Sequence, residues 1–552
     1  MAAESVILGT GTPTGVRGAQ TDDSGSAEWA PAFSDEALVH RAQRIREPAH
    51  IVQERSTGRM GLAPGTESAR SRLDTDGLHR ILGTLPPQYP EWLGDLSFGT
   101  GHGARFPYVG GEMANGIATT RMVVVLAQAG MVGFFGAGGL DHRHVEQAVA
   151  ELQQRLGDRR NWGVNLIHSP QEPGLEERVA GLLVTRGVPA VSASAYMSLT
   201  PAVVRCSVSG LSTDPSGEIV RRTRMFAKVS RPEVAEQFMS PAPPQILRTL
   251  LERGEITERE ADLAAHVPVA ADITVEADSG GHTDNRPLAV LLPVLLAMRT
   301  QLTARFGYRV PLRVGAAGGL GTPEAVASAF AMGAAYVVTG SINQVSTEAG
   351  LSDEGKGLLG QADVADVTMA PSSDMFELGV KLQVLRRGTM FAARANQLYE
   401  VYRSCESLEG IPPETRTRLE RDVLRGTIEE SWSSTRRYWQ DRDPGQLDRA
   451  ERDPKHRMAL LFRSYLGQSS RWAITGETGR RTDYQIWCGP AMGAFNRWTR
   501  DSFLARSENR SVVQIALNLL EGAAVITRAH QLRSCGVPLP AAAFSYRPRP
   551  LA

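Results

Sequence analysis

Eight short runs rich in β-branched residues and glycine follow one another between residues 105 and 345. They are FPYVGGEM, MVGFFGAG, WGVNLI, AVSASAY, MFAKVS, ADITVEA, LRVGAAGG and AYVVTGS. Amphipathic segments of helical spacing, such as DHRHVEQAVAELQQRLG and TPEAVASAFAMG, separate most of them. This alternation is typical of parallel βαβ units. Eight such units close naturally into a barrel, so the sequence predicts an α/β protein with a (β/α)8 TIM barrel at residues 105–345.

The rest of the chain divides into three segments. Residues 1–104 are rich in Gly, Pro, Ser, Asp and Arg, which predicts an irregular N-terminal extension. Beyond residue 345 the strand pattern ends, and apolar residues at helical spacing predict an inserted, mainly helical second domain at 346–510. In the last segment, 511–552, the stretch SVVQIALNLLEGAAVITRAHQLRSCG predicts a long helix that returns to the barrel and precedes a tail.

Charge and cysteine content argue against several classes of function. Lys plus Arg and Asp plus Glu both number 60, so no net field attracts nucleic acid or an anionic membrane. The four cysteines form no C-x-x-C pair, which argues against a disulfide framework or a zinc site. The DHRH stretch at 141–144 opens a predicted helix without a partner cluster, and no motif around Cys206 supports a nucleophile. We therefore predict no metal site.

Membrane and export signals are equally weak in the sequence. The first residues lack a basic region followed by an apolar core. The longest apolar run, PLAVLLPVLLAM, is too short to span a bilayer and contains proline. We expect a cytoplasmic protein with no membrane span.

Glycine-rich loops follow the seventh and eighth predicted strands, where such barrels commonly hold phosphate. In AGGLGTPEAVASAF, Gly318 and Gly319 allow the backbone to approach a ligand closely, and the Thr-Pro pair suits a helix start. A helix N-terminus at this place favours an anion. The eighth strand is followed by Gly340 and Ser341, which offer backbone and hydroxyl donors. Two adjacent loops of this kind predict a phosphate-bearing ligand, whereas one alone is equally well a tight turn.

Other predicted strand ends carry residues suited to a flat ring. Met113, Ala114 and Asn115 form a small, backbone-rich lip after the first strand. Asn165, at the end of the third strand, has an amide that can bond the polar edge of a ring. Lys228, at the end of the fifth, can stabilise negative charge on such a ring. The alternative for Lys228 is a lysine that reaches solvent.

The sixth predicted strand leads into VEADSGGHTDNRP. Gly280 and Gly281 permit close approach of the backbone, and they place His282 at the barrel mouth as a candidate catalytic group. Asp278 and Asp284 are near enough in sequence to tune the pKa of His282. The alternative is a histidine with a purely structural role.

Seven segments together resemble the PfaD family, the trans-acting enoyl reductases of polyunsaturated fatty acid synthases and trans-acyltransferase polyketide synthases. They are GGEMANGIATT, GFFGAGGL, GVNLI, FAKVSRPEVA, EADSGGHTDNRP, AAGGLGTPEAVASAFAMGAAYVVTGSINQ and MAPSSDMFELGVKLQVLRRGTMFAARANQLYEVYRS. The resemblance implies FMN bound across the barrel mouth, with His282 beside the flavin and the substrate. The implied FMN contacts are Met113, Ala114, Asn115, Asn165, Lys228, Gly280, Gly281, Gly318, Gly319, Gly340 and Ser341.

The same resemblance implies a reaction and its partners. NADPH reduces FMN, and the flavin then reduces the 2,3-double bond of an enoyl thioester, with His282 either polarising the thioester carbonyl or relaying the proton. The substrate is carried on the phosphopantetheine of an acyl carrier protein that belongs to a polyketide or fatty acid synthase. The arginine-rich stretch at 416–426 is a candidate docking face for that acidic carrier, and the alternative is a solvated charged helix. A homodimer is left open.

One departure from the wider superfamily bears on the motif of His282. The usual E-A-G-G-H reads D-S-G-G-H here, with Asp278 and Ser279, which fits the PfaD pattern better than that of nitronate monooxygenases. Two other interpretations stay open at this point. One is an FMN oxidase of the nitronate monooxygenase type, and the other is a non-catalytic scaffold associated with a synthase.

Overall fold

The structure, a computed structural model, describes residues 29–170 and 172–552. Its strands are β1 (Ala49–Glu54), β2 (Met60–Pro64), β3 (His79–Leu85), β4 (Tyr108–Gly110), β5 (Val132–Phe135), β6 (Trp162–Ile167), β7 (Ala190–Ser194), β8 (Ser212–Thr213), β9 (Ile219–Val220), β10 (Arg224–Val229), β11 (Asp272–Glu276), β12 (Gly281–His282), β13 (Arg313–Ala317), β14 (Val337–Thr339), β15 (Val367–Pro371) and β16 (Lys381–Leu385). Its α-helices are α1 (Asp35–Gln43), α2 (Glu67–Thr75), α3 (Leu96–His102), α4 (Thr120–Gln128), α5 (His142–Leu156), α6 (Pro173–Arg186), α7 (Pro201–Val208), α8 (Pro232–Met239), α9 (Pro244–Glu252), α10 (Glu258–Ala264), α11 (Leu288–Phe306), α12 (Pro323–Ala331), α13 (Asp353–Gly360), α14 (Phe391–Ser404), α15 (Pro413–Arg418), α16 (Ile428–Arg442), α17 (Gly445–Arg452), α18 (Pro454–Thr475), α19 (Ala491–Thr499) and α20 (Val512–Ser534).

Eight parallel strands form a closed barrel in the order β4, β5, β6, β7, β10, β11, β13 and β14, and β14 pairs back to β4. Each of the eight predicted strand segments contains one of these strands, so the prediction of a TIM barrel is confirmed. Helices cover the outer face of the barrel and side chains fill the inner face. The strands are therefore buried along most of their length, as parallel sheets usually are.

Aromatic side chains fill the barrel toward the N-terminal ends of its strands. Phe98, from helix α3, stacks on Tyr336 with 4.7 Å between the ring centroids. Phe134 and Phe226 pack edge to face at 5.0 Å. All four rings are buried. The lower part of the barrel is therefore a packed core, which leaves the C-terminal ends of the strands for a ligand.

The N-terminal segment, predicted to be irregular, is a small unit over residues 29–87 that is completed by 529–543. It contains the antiparallel sheet β2-β1-β3 and helices α1 and α2. Its core includes Leu38, Leu62 and Leu532. The prediction was wrong there because the strands are short and β3 alternates between exposed and half-buried residues, which leaves a weak apolar pattern. Residues 1–28 lie outside the described part of the chain.

The segment predicted to be helical, 346–510, also contains two strands. β15 and β16 pair antiparallel, and β12, from the loop after barrel strand β11, adds to the other edge of β16. The prediction of helix was wrong for 367–371 and 381–385, because five residues cannot distinguish a short strand from one turn of a helix. The remainder is mainly helical, and its core includes Phe391, Leu398 and Phe462. This small sheet joins the inserted segment to the loop that carries His282.

Helix α20 packs against the start of barrel helix α12. Gly522 makes the contact close, since a Cβ there would lie 2.6 Å from Pro323 Cγ. By length and apolar composition alone, both α20 and α11 could cross a membrane. In the described fold α20 is mostly buried, and α11 connects β12 to β13 with buried leucines on its inner side. Packing within the protein thus accounts for the apolar residues of α20, whereas α11 is only 22% buried and leaves Val290 and Val294 exposed.

Candidate active site

A cleft opens at the C-terminal ends of the first barrel strands. Its empty volume is about 800 Å³, part of it open to solvent, which is within the range of small-molecule sites. Loops after β4, β5 and β6 form one wall, and the inserted segment contributes the other. Four of the residues predicted from the sequence line this cleft, and they are Ala114, Asn115, Asn165 and His282. The other predicted residues lie elsewhere at the same end of the barrel.

The lip after β4 is held by backbone contacts. Asn115 has a left-handed backbone, with φ of 57°, and its N–H donates to the carbonyl of Gly138. Its side-chain amide donates to Ser470 Oγ, at 3.1 Å, in the inserted segment. Gly136 is required beside this lip because a Cβ there would overlap the Met113 carbonyl. Met113 itself is buried, so it supports the lip from below.

Asn165 belongs to a buried polar layer at the top of the barrel. Its side-chain amide nitrogen donates to the Ser192 carbonyl, at 3.0 Å, and to Ser194 Oγ, at 2.8 Å. Both acceptors belong to β7. Because the amide nitrogen is fixed by these two bonds, the orientation of the Asn165 carbonyl oxygen is set before any ligand arrives.

Lys228 lies between two carboxylates that the sequence interpretation missed. Its Nζ is 3.0 Å from Glu276 Oε1 and 3.3 Å from Glu112 Oε1. Burial alone would lower the pKa of Lys228, but the two carboxylates outweigh it and raise that pKa. Lys228 is therefore a charged group anchored inside the barrel, which excludes the alternative of a lysine reaching solvent. Glu112 and Glu276 also stand at the ends of predicted strands, and this position in the sequence could have indicated that they meet Lys228.

His282 has a carboxylate partner from the inserted segment. Its Nε2 is 3.2 Å from Asp374 Oδ1 and 3.0 Å from Ser372 Oγ. Burial alone would lower the pKa of His282, but Asp374 overcomes it and the pKa is raised above its usual value. In return, the imidazolium holds the pKa of Asp374 well below the usual range, against the effect of burial. The imidazole lines the cleft, and the Asp374 carboxylate beside it favours its protonated form.

The two acids predicted to tune His282 have other partners. Asp284 accepts two bonds from Arg231, at 2.9 and 3.0 Å, and one from Ser230. Asp278 accepts from the side-chain amides of Gln383, at 2.7 Å, and Asn285, at 2.9 Å. The prediction that these acids tune the histidine was therefore wrong. Proximity in sequence did not bring either carboxylate to the imidazole, because each is used to fix the loop around it.

The glycine loops after β13 and β14 lie against the segment 487–491. A Cβ on Gly280 would lie 2.8 Å from the Cys488 nitrogen and from Ser341 Oγ, so the close approach at Gly280 is to protein backbone. Ser341 Oγ also accepts from the Gly489 N–H at 3.2 Å. By contrast, a Cβ on Gly319 or on Gly340 would meet no protein atom within 4 Å. Gly319 and Gly340 are therefore the two positions of these loops at which the backbone faces space without protein atoms.

The remaining glycines of the site shape its turns. Gly281 and Gly318 have φ of 86° and 88°, in the left-handed region that favours glycine. A Cβ on Gly318 would also lie 2.7 Å from the Ala277 carbonyl carbon. Close by, the buried hydroxyl of Ser279 has no hydrogen-bond partner among the described residues. The turn after β11 therefore contains a buried hydroxyl that is unpaired among the described residues.

Other candidates from the sequence find different roles. His144 pairs with Asp141 on the surface, and the described residues contain no group of three or more potential metal ligands. Burial raises the pKa of the Cys206 thiol to about 12, which argues against a nucleophile. In the stretch proposed for carrier docking, Arg416 pairs with Glu420 and Glu429, and Arg421 pairs with Asp422. These acids neutralise much of that face.

Comparisons with known proteins agree with this architecture. Residues 405–484 match the family model of the [acyl-carrier-protein] S-malonyltransferase inserted helical domain. The chain is 45% identical over 466 residues to a polyunsaturated fatty acid synthase polypeptide of Thraustochytrium sp., which is 83% of this chain and 31% of that protein. It is 43% identical over 436 residues to polyketide biosynthesis protein PksE of Bacillus subtilis, which is 79% of this chain and 56% of that protein. The chain thus spans less than two-thirds of the length of these relatives.

A solved structure matches along its whole length. The crystal structure of the enoyl reductase domain of MlnA, from the macrolactin biosynthesis cluster of Bacillus amyloliquefaciens, superposes with a TM-score of 0.76 and 36% identity. The match covers 81% of this chain and 100% of that domain. The two proteins share the barrel fold. The chain belongs to the PfaD-like family that includes this domain and the synthase proteins named above.

Proposed function

We propose that this protein is an FMN-dependent enoyl reductase that saturates the 2,3-double bond of enoyl thioesters on an acyl carrier protein, with NAD(P)H as reductant. The observation that carries the proposal is the match to an enoyl reductase domain along that domain's whole length, combined with the His282–Asp374 pair on the wall of the cleft. A synthase that makes polyketides or polyunsaturated fatty acids is the expected setting, since relatives of both kinds match most of the chain.

The residues at the barrel mouth fit FMN. The space beside Gly319 and Gly340 is free of protein atoms, and these loops follow the strands where TIM barrels hold phosphate. The backbone N–H groups of the loops after β13 and β14, together with Ser341, would hold the phosphate. The lip at 113–115 and the amide oxygen of Asn165 would contact the ring. Lys228 would offer its ammonium group as a hydrogen-bond donor to the ring, with its charge already balanced by Glu112 and Glu276.

The chain's own residues have clear tasks in this reaction. When bound, FMN supplies hydride transfer from NAD(P)H to the β-carbon of the enoyl thioester. Asp374 stabilises the charged form of His282 and raises its pKa, which makes the imidazolium available as a proton donor. The Nε2–H of His282 donates to Asp374 Oδ1, and this bond orients the ring. It leaves Nδ1 of His282 without a partner among the described residues. We assign His282 Nδ1–H to the substrate side, where it stabilises negative charge on the thioester oxygen or protonates the α-carbon.

The test of the proposal is a reconstituted assay. Purified protein should carry a flavin, visible by its absorbance near that of free FMN. Under anaerobic conditions NADPH should bleach this absorbance, and a crotonyl thioester should restore it with formation of the saturated product. A colourless protein that binds no added FMN would contradict the proposal. Turnover of a nitroalkane with oxygen, and none of the thioester, would favour the oxidase instead.

We predict that His282→Ala retains flavin yet loses most of its reductase activity. Removal of the acid should lower kcat by about 100-fold or more, because positioned proton donors contribute about that much. The measurements are flavin content per chain and steady-state kinetics with a crotonyl thioester. His40→Ala, on the exposed face of α1, is the matched control and should behave like the native protein. If His282→Ala is flavin-free, the motif holds the cofactor rather than serving turnover.

A further inference from the structure

An ion pair between the barrel and the inserted segment lies on the wall of the cleft. Arg442 Nε and Nη2 donate to the two oxygens of Glu172, at 2.6 and 3.0 Å. Arg442 ends helix α16, whereas Glu172 immediately precedes α6, after barrel strand β6. Both side chains line the cleft, and each keeps about a fifth of its surface exposed, 21% for Arg442 and 20% for Glu172. This doubly hydrogen-bonded ion pair of Arg442 and Glu172, the Arg442–Glu172 fork, is therefore within reach of a ligand in the cleft.

Arg442 stands out among the groups that line the cleft. Of the described lining residues it is the sole lysine or arginine. The lining around it is largely apolar, with Leu140, Ile167, Leu175 and Val179. Another lining acid, Glu176, is fully engaged, since it accepts from His168, Ser169, Tyr196 and Thr200. Apart from the His282–Asp374 pair, the exchangeable charge that lines the cleft is thus concentrated in the Arg442–Glu172 fork.

The fork has the geometry of phosphate recognition. A guanidinium that donates two parallel N–H bonds to a carboxylate can donate the same pair to two phosphate oxygens. Among the described residues, the carboxylate oxygens of Glu172 accept hydrogen bonds from Arg442 alone, so no other donor holds this side chain in place. Tyr438 lies beside the guanidinium, with 5.6 Å from its ring centroid to Arg442 Cζ. The guanidinium is thereby held at the cleft while its anion can be exchanged.

We propose that Arg442 binds the phosphate of the arm that carries the enoyl thioester, and that Glu172 is the resting counter-ion which this phosphate displaces. The inference rests on the proposed function, because it concerns a phosphopantetheine-linked substrate at the same site. Arg442 would then be a binding residue for the phosphate, and Glu172 a competitor. The exchange favours thioesters with a phosphate over those without one, since only a phosphate repays the loss of Glu172 from the guanidinium.

The two partners of the ion pair are expected to act in opposite directions. Arg442→Gln removes the donor, so KM for a crotonyl thioester of 4′-phosphopantetheine should rise about 10- to 100-fold, as for a lost charge-assisted pair. Glu172→Gln removes the competitor, so KM for the same substrate should fall. The thioester of pantetheine, which has no phosphate, should show no increase in KM with Arg442→Gln. In each case kcat should change little.

A purely structural fork would behave differently. If Arg442 and Glu172 only tied the inserted segment to the barrel, both substitutions would impair both substrates to a similar degree, and the proposal would be overturned. Arg186→Gln is the matched control, since Arg186 pairs with Glu146 at 2.8 Å on the outer surface. It should leave KM unchanged for both thioesters. Thermal unfolding of each variant checks that the fold persists.

A binding experiment separates this inference from the proposed function. Isothermal calorimetry with 4′-phosphopantetheine and with pantetheine needs no turnover. The native protein should bind the phosphorylated compound about 10-fold or more tightly, and Arg442→Gln should abolish that difference. Equal affinities in the native protein would overturn the assignment of Arg442 even if enoyl reduction is observed. A phosphate preference without any reduction would instead contradict the proposed function alone.

Discussion

At His282 two opposing effects act on one imidazole. Burial favours the neutral ring, and the Asp374 carboxylate at 3.2 Å favours the charged one. The carboxylate prevails, so the pKa of His282 lies above 6.5. The acid form of His282 is then lost only as the pH rises through this raised pKa. Activity that needs the acid form should decline on the alkaline side.

Asp374→Asn should move that alkaline decline to lower pH. Without the carboxylate, burial is the dominant effect and the pKa of His282 falls. The measurement is the pH dependence of kcat/KM with a crotonyl thioester. Asp284→Asn is the control, because its carboxylate pairs with Arg231, so the alkaline limb should stay in place. An identical alkaline limb in Asp374→Asn and native protein would contradict the role assigned to Asp374.

At the scale of elements, two loops of similar composition have different tasks. Gly280 accommodates the backbone at Cys488, whereas Gly340 faces space that no protein atom fills. A motif of glycines thus includes both packing positions and ligand-facing positions. Whether a glycine packs against protein or faces a ligand depends on which segment lies against its loop. The segment 487–491 lies against Gly280 and makes it a packing position.

Gly340→Ala should therefore separate folding from cofactor binding. Its φ of −126° lies outside the left-handed region reserved for glycine, and the added Cβ meets no protein atom within 4 Å. We expect an unchanged melting temperature, with FMN affinity weakened about 10-fold or more by overlap with the phosphate. Fluorescence titration of FMN into stripped protein measures this. Gly357→Ala, in α13, is the control with equally free space, and it should bind FMN normally. Native affinity in Gly340→Ala would place the phosphate elsewhere.

For the whole molecule, a buried ionic cluster closes the lower end of the barrel. Asp272 accepts from Arg313, at 2.6 and 2.9 Å, and lies 3.0 Å from His102 Nε2 of α3. Burial alone would raise the pKa of Asp272, but His102 and Arg313 hold it well below the usual range. The dominant effect on His102 is burial, which lowers its pKa. The cluster joins β11, β13 and α3 far from the cleft.

Asp272→Asn should lower the free energy of unfolding by about 3 to 5 kcal/mol, because it leaves the buried charge of Arg313 unpaired. Denaturant unfolding of the protein measures this loss. Glu218→Gln, which breaks an exposed pair with Arg309, is the control and should change stability little. A loss no larger than that of the control would show that the cluster does not support the barrel.

The pH dependence of stability follows from the same cluster. His102 and Asp272 both have folded pKa values below their ordinary values of 6.5 and 3.8. Their contribution to stability is therefore complete above pH 6.5. It declines as the pH falls below 6.5, when the unfolded state binds a proton at His102 first, and declines further below 3.8 through Asp272. Unfolding curves at several pH values should show this order.

The barrel and several of its strand-end residues could be predicted from the sequence. Alternation of strand and helix patterns is local, and the eight segments each contain a barrel strand. The strand ends of a barrel all lie at one mouth, so Ala114, Asn115, Asn165 and His282 could be expected to meet, and all four line the cleft. The family resemblance added the same assignment from motifs. The short strands β1 to β3, β15 and β16 have weak apolar patterns and were not predicted.

Local sequence patterns were enough to tell which residues stand at the barrel mouth, whereas packing in three dimensions sets which charges face one another. Asp374 is 92 positions from His282, and Arg442 is 270 positions from Glu172. No local pattern links such residues, because the inserted segment brings them to the barrel only through packing and through the pairing of β12 with β16. Secondary structure follows from neighbours along the chain, while pKa values and ligand contacts depend on neighbours in space.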